Sequence, residues 1–135
     1  EAFGSATRGM PTHIHHGSYR HREGYKGALA LLQEGVTALI AGDSMMTAGA
    51  LEACHNAGKR IGEEIALVGF DDFIYLRFQP SPISVVDQDV ARMGETATAK
   101  LIAAINEKHQ PEGEVLETRY IPRMSTAHQL DGATP

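Results

Sequence analysis

Cysteine is almost absent from these 135 residues: Cys54 stands alone, so no disulfide closes within the chain and no thiolate metal site is expected. In "ALEACHNAG" a single thiol reads as a small buried hydrophobe. Positive charge is also scarce. Twelve Lys and Arg stand against seventeen Asp and Glu, a formal net charge of −5, whereas a nucleic-acid-binding surface needs clustered cations. The densest basic stretch, "YRHREGYK", is broken by Glu23 and Gly24. No apolar run approaches the roughly 18 residues that span a bilayer, and no signal-peptide pattern is visible. Internal repeats, low-complexity tracts, a phosphate-binding glycine loop and a Ser-His-Asp arrangement are missing too. The chain opens on Glu1 within "EAFGSATRG", which reads as the middle of a helix, so a piece of a longer protein is expected.

What is present is an alternation of short strands and helical stretches. The segments 36–42 ("VTALIAG"), 64–70 ("EIALVGF") and 83–87 ("ISVVD") are apolar runs of strand length, as in strands covered on both faces. Residues 12–17 ("THIHHG") and 117–123 ("ETRYIPR") alternate, the latter reading as an outer or crossover strand. Helical spacing predicts helices over 21–34, 44–57 and 89–108, the second with Asp43 as N-cap and Gly58 as its stop. The predicted fold class is α/β, around a mostly parallel sheet. In such sheets ligands bind beyond the carboxyl ends of the strands. That rule selects Tyr19, Asp43, Asp71, Asp72 and Gln88, which come from separate parts of the sequence and would share one rim. The strand in "ALVGFDD" ends on two adjacent carboxylates that repel each other, so stability alone explains the pair poorly.

At these residues the chain resembles the effector-binding core of the LacI/GalR family of bacterial transcription regulators. "TALIAGDSMMTAGALEACHNAGKRIGEEIALVGFDD" is similar to that family's strand, turn and "GAL" helix leading to a "GFDD" strand end. "GSYRHREGY", "PSPISVVDQDVARMGETATAKLI" and "RMST" match further motifs in order, from about residue 13 to residue 127. The resemblance implies an incomplete three-layer lobe of the type I periplasmic-binding-protein-like fold. Residues 1–88 would form the C-terminal lobe, 89–127 a helix and strand crossing back towards a first lobe, and 128–135 a flexible tail. The family's DNA-binding head, most of its first lobe and the arginine it supplies to the effector from just upstream have no counterpart in the 135 residues.

By the same resemblance, Asp71, Asp43, Gln88 and Tyr19 are the effector-binding candidates. A carboxylate accepts charge-assisted bonds from vicinal hydroxyls, an amide donates and accepts, and an aromatic ring covers a sugar's C–H face. Each has a plainer reading: a capped turn at Asp71, a helix N-cap at Asp43, a loop residue at Gln88, a rim aromatic at Tyr19. Asp43 replaces an amide common in the family, which disfavours an anionic ligand group there. Asp72 is assigned to the turn. Met46, Ala50, Phe73, Tyr75 and Phe78 are the candidates for a dimer seam. His13, His15, His16 and His21 lack the partners of a metal site, so neither a metal nor a cofactor is expected.

The expected function is effector binding and dimerisation in a cytoplasmic LacI-type repressor. The ligand would be a sugar or sugar derivative, operator DNA would be reached only through an absent N-terminal domain, and no reaction or membrane would be involved. A periplasmic sugar-binding protein of a transporter is the alternative. A Mg²⁺ site at Asp71 and Asp72 lacks the rim lysine that phosphoryl transfer wants. The helix over 89–108 has no home for its apolar face in this lobe, so it is expected to be buried by a neighbouring chain or to dock in a non-native way.

Overall fold

The computed structural model describes residues 11–107 and 112–130. The helix read at "EAFGSATRG" lies outside the described residues. Three parallel strands form the sheet's spine: β1 (Ala38–Ile40), β2 (Ala66–Phe70) and β3 (Ser84–Asp87). A fourth, β4 (Arg119–Ile121), pairs antiparallel with β3, giving the order β1-β2-β3-β4. The mostly parallel α/β sheet is the one expected, and 117–123 supplies its outer strand.

Two helices cover one face. Helix α1 (His21–Gln33) precedes β1, and α2 (Ser44–Asn56) connects β1 to β2. Asp43 caps α2 by accepting from the backbone N–H groups of Met45 and Met46 at 2.8 and 3.2 Å. Gly58, at φ +66°, follows the end of α2 in the left-handed conformation that glycine adopts at no steric cost. Beneath the helices, Leu39, Leu67, Val85, Ile65 and Ile83 form the core with Ala28, Ala50, Ala53 and Cys54. Cys54 is fully buried, as its surroundings in the sequence suggested, and burial pushes its thiol up to about 11.

The two helices touch backbone to backbone through glycine. A Cβ on Gly49 would lie 2.2 Å from the His21 carbonyl oxygen and 2.4 Å from the Tyr25 nitrogen. Gly49→Ala therefore forces α1 away from α2. The overpacking cost, about 1–3 kcal/mol, exceeds the roughly 1 kcal/mol that alanine gains in a helix. A lower urea midpoint is expected, and an unchanged midpoint would show that the helices separate freely.

Two stretches depart from the sequence reading. Residues 12–17 are exposed and form no strand, and among the described residues β1 pairs only with β2. Residues 124–127, expected only as the end of a crossing segment, open a short helix, α5 (Met124–Leu130), after a one-turn helix α3 (Ile74–Arg77) and an 18-residue helix α4 (Val90–Glu107) earlier in the chain. Ser125 of α5 is fully buried: its Oγ donates to the Leu67 carbonyl at 2.6 Å and accepts from Ser84 N–H at 2.8 Å. Residues 119–127 are thus built into the sheet, and α4 alone stands apart from it. Met93, Leu101, Ile102 and Ile105 of α4 are exposed, Ile105 at 68%. Its apolar face has no home among the described residues, and the helix does not dock on this lobe in a non-native way.

Candidate functional site

The carboxyl ends of β1, β2 and β3 deliver Asp43, Asp71 and Gln88 to one rim. Asp71 immediately follows β2 and sits at φ +60°, a conformation that costs most non-glycine residues about 1–2 kcal/mol but that Asp tolerates. Its N–H is tied to the Val86 carbonyl at 2.9 Å, so the turn is held by β3. Gln88 Nε2 donates to Asp71 Oδ1 at 2.9 Å. Among the described residues Asp71 Oδ2 accepts no hydrogen bond. Asp43 is arranged alike: Oδ1 takes both cap bonds, and Oδ2 has no partner among the described residues. Each carboxylate thus has one oxygen fixed by the protein and one left to accept.

Tyr75, assigned to the dimer seam in the sequence, lies close enough to the rim to feel its charges. Burial and then the negative charges of Asp43 and Asp71 push its phenol above the ordinary value, so both carboxylates act on one hydroxyl. Its ring stacks on Phe73 with centroids 5.9 Å apart. Nothing in the sequence separated Tyr75 from its apolar neighbours, because α3, the single turn that presents it, is too short to leave a periodic signal. Tyr19 stands before α1, 76% exposed, and forms no hydrogen bond among the described residues. The structure does not bring it onto Asp71.

The two adjacent carboxylates divide their labour. Asp72 turns away from the rim and pairs with Arg123 Nη2 at 2.7 Å and Arg77 Nη2 at 2.8 Å. Arg123 also donates to the Ile83 carbonyl at 2.9 Å, so "RMST" is clamped to the sheet by its arginine as well as by Ser125. Burial raises the Asp72 carboxyl, but the hydrogen bonds and charges of Arg123 and Arg77 outweigh it and hold it below the usual 3.8. A group depressed on folding stabilises above its unfolded value and loses that contribution as pH falls through its folded value. The stability difference between the native chain and Asp72→Asn, measured by urea unfolding, is therefore expected to be constant above pH 3.8 and to shrink below it. A difference unchanged through the acid range would contradict the pairing.

Of the seam candidates, Phe73, Tyr75 and Phe78 are exposed. Ala50 is only 4% exposed, closed under α1, and Met46 lies half-buried beside Gly24. Ala50 is corrected to packing within the chain, because the close α1–α2 approach draws that face of α2 inward. No group of three or more His, Cys, Asp or Glu among the described residues is placed to hold a metal ion. No helix of the described residues is long and apolar enough to cross a membrane.

Residues 5–126 match the periplasmic binding protein-like domain. The chain belongs to this family. The domain is 30% identical over 115 residues to the HTH-type transcriptional regulator MalR of Streptomyces coelicolor, covering 84% of this chain and 33% of that protein. A crystal structure of a probable LacI family transcriptional regulator from Corynebacterium glutamicum superposes with a TM-score of 0.77 at 34% identity, covering 93% of this chain and 45% of that one. The transcriptional regulator CelR in complex with cellobiose gives 0.77 at 27% identity, with 89% and 38% covered. The domain therefore spans about a third of the length of the curated relatives it matches, and its sheet superposes on part of the LacI family regulator from Corynebacterium glutamicum.

Proposed function

We propose that the chain is the effector-binding and dimerising part of a LacI-type repressor, taking a sugar or sugar derivative at the rim of Asp71, Gln88, Asp43 and Tyr75. The observation that carries this reading is the pair of half-committed carboxylates at neighbouring strand ends. An oxygen already positioned by Gln88 or by a helix N-terminus leaves its partner oxygen oriented for a ligand hydroxyl. Two such oxygens suit a polyol and repel an anion. CelR, bound to cellobiose, gives the class of ligand to begin with. The site acts by binding, with no reaction, metal or cofactor. Effector binding would shift the closure of this lobe against a first lobe, with a coupling of about 1–3 kcal/mol to an attached DNA-binding head in the cytoplasm. Tyr19 would reach the ligand's apolar face only in the closed form. Phe73 and Phe78 supply the exposed aromatic surface for a homodimer. The relatives named above are regulators, which favours this reading over a transport receptor.

The test is made on the full-length parent protein. Operator binding is followed by fluorescence anisotropy with and without cellobiose and related disaccharides. A saturable, sugar-dependent change in operator affinity is expected. A sugar-independent affinity, with a response only to hydroxyl-free purine bases, would overturn the assignment.

A further inference from the structure

Strands β1 and β2 part company just before the rim. Their ladder runs from Ala38–Ala66 to Ile40–Val68, and its last rung is the bond from Ala41 N–H to the Val68 carbonyl at 2.9 Å. The Ala66 N–H goes to the Thr37 carbonyl. A parallel ladder continued in steps of two residues would therefore send the Phe70 N–H to the Ala41 carbonyl. It goes elsewhere. Phe70 N–H donates to Thr47 Oγ1 at 3.0 Å, and Thr47 is the fourth residue of α2.

Thr47 is fully buried, and chemistry fixes the direction of both its bonds. A carbonyl only accepts and a peptide N–H only donates. The hydroxyl proton therefore goes to the Asp43 carbonyl at 2.8 Å, and a lone pair takes the Phe70 N–H. The first bond alone is ordinary, since threonine in a helix often bonds the carbonyl four residues back. The second leaves the helix for the strand that ends on Asp71. The Thr47 methyl lies against Gly69, where a Cβ would come within 2.5 Å of Cγ2, so a residue without a side chain is needed there.

One buried hydroxyl thus joins the backbone of Asp43 to the residue before Asp71. Past the Ala41–Val68 rung, no other hydrogen bond among the described residues connects these two strand ends. Asp71 is tied to Val86 and Gln88, but those bonds fix it to the β3 side and not to Asp43. Without the hydroxyl, the Phe70 N–H would turn to the Ala41 carbonyl, the next step of the ladder, and draw the two strand ends together.

We infer that Thr47 is the positioning residue that sets the span between the Asp43 and Asp71 carboxylates, and with it the spacing of the ligand hydroxyls the rim accepts. The inference rests on the reading of the rim as an effector site. Thr47 itself touches no ligand. Its side chain is buried, its proton is committed to Asp43, and it acts through the two carboxylates it holds apart.

The test compares three full-length parent proteins, wild type, Thr47→Val and Thr47→Ser, by calorimetric titration with cellobiose well below the unfolding midpoint of each. Valine keeps the volume and the branch at Cβ but loses both bonds, whereas serine keeps the hydroxyl and loses only the methyl. The dissociation constant is expected to rise about tenfold in Thr47→Val, as for one ordinary hydrogen bond, and to stay within about threefold of wild type in Thr47→Ser. Thr47→Ala, which also lacks the hydroxyl, takes the place of Thr47→Val if that variant does not fold. A merely structural threonine would lower the urea midpoint and leave the dissociation constant where it is. Equal affinity in wild type and the hydroxyl-free variant, or an equal loss in Thr47→Ser, would overturn the inference and leave the effector site standing. A wild type that binds no cellobiose would overturn the reading of the rim as a disaccharide site, and the inference with it.

Discussion

Ser125→Ala is expected to lower the unfolding free energy by about 2–4 kcal/mol, although the substitution removes one oxygen and creates almost no cavity. The Ser125 hydroxyl both donates to Leu67 and accepts from Ser84, and both backbone groups lie in the fully buried start of the β2–β3 ladder. Alanine would leave a carbonyl and an N–H unpaired there, and each buried unpaired group costs about 1–3 kcal/mol. Leu67 and Ser84 would have to close directly, and the Arg123 clamp on Ser84 resists that. Arg123 N–H donates to Ser84 Oγ at 2.8 Å, and Ser84 Oγ is 2.8 Å from Thr126 Oγ1. Urea unfolding of the wild-type and Ala chains checks the value. A loss below about 0.5 kcal/mol, the range of an ordinary surface substitution, would mean that the strands close without the hydroxyl.

Asp71→Ala is expected to weaken effector binding about 100-fold in the full-length protein while leaving the fold intact. A charge-assisted bond from a ligand hydroxyl to Oδ2, worth about 1.5–3 kcal/mol, is the interaction lost, and its upper end corresponds to that factor. Gln88 loses its partner as well and no longer holds a defined orientation. Asp71→Asn keeps the side chain's shape and the possibility of accepting at one oxygen, so a smaller loss of about tenfold is expected. Alanine does not share aspartate's tolerance of φ +60°, so Asp71→Ala is also expected to lose up to about 1–2 kcal/mol of stability. Calorimetric titration separates the outcomes: equal affinity of Asp71→Ala and wild type would remove Asp71 from the site.

The sheet was legible because apolar runs of strand length and helices of 13 residues leave strong periodic signals, and because Asp43 and Gly58 punctuate α2. The rim followed from the rule that parallel sheets bind at their carboxyl ends, and Asp71, Asp43 and Gln88 arrive there. Tyr75 lies beside the rim as well as on the exposed aromatic surface, because exposure and apolarity describe an interface and a ligand platform equally well. Ala50 is buried within the chain: a stripe of small residues can pack on another chain or on the neighbouring helix, and only the contact of Gly49 with His21 and Tyr25 decides between them. Residues 12–17 carried a true alternation that the fold leaves unpaired, since a strand pattern states a preference and not a partner. Arg77 and Arg123 were invisible as partners of Asp72 because they reach it from 5 and 51 residues away along the chain.

The most direct test of the central claim is a crystal structure of the full-length parent protein with a bound disaccharide. The account predicts ligand hydroxyls about 2.5–2.8 Å from Asp71 Oδ2, with Gln88 still bonded to Oδ1 and Tyr75 against the sugar. A disaccharide bound elsewhere, with Asp71 Oδ2 facing only water, would contradict it.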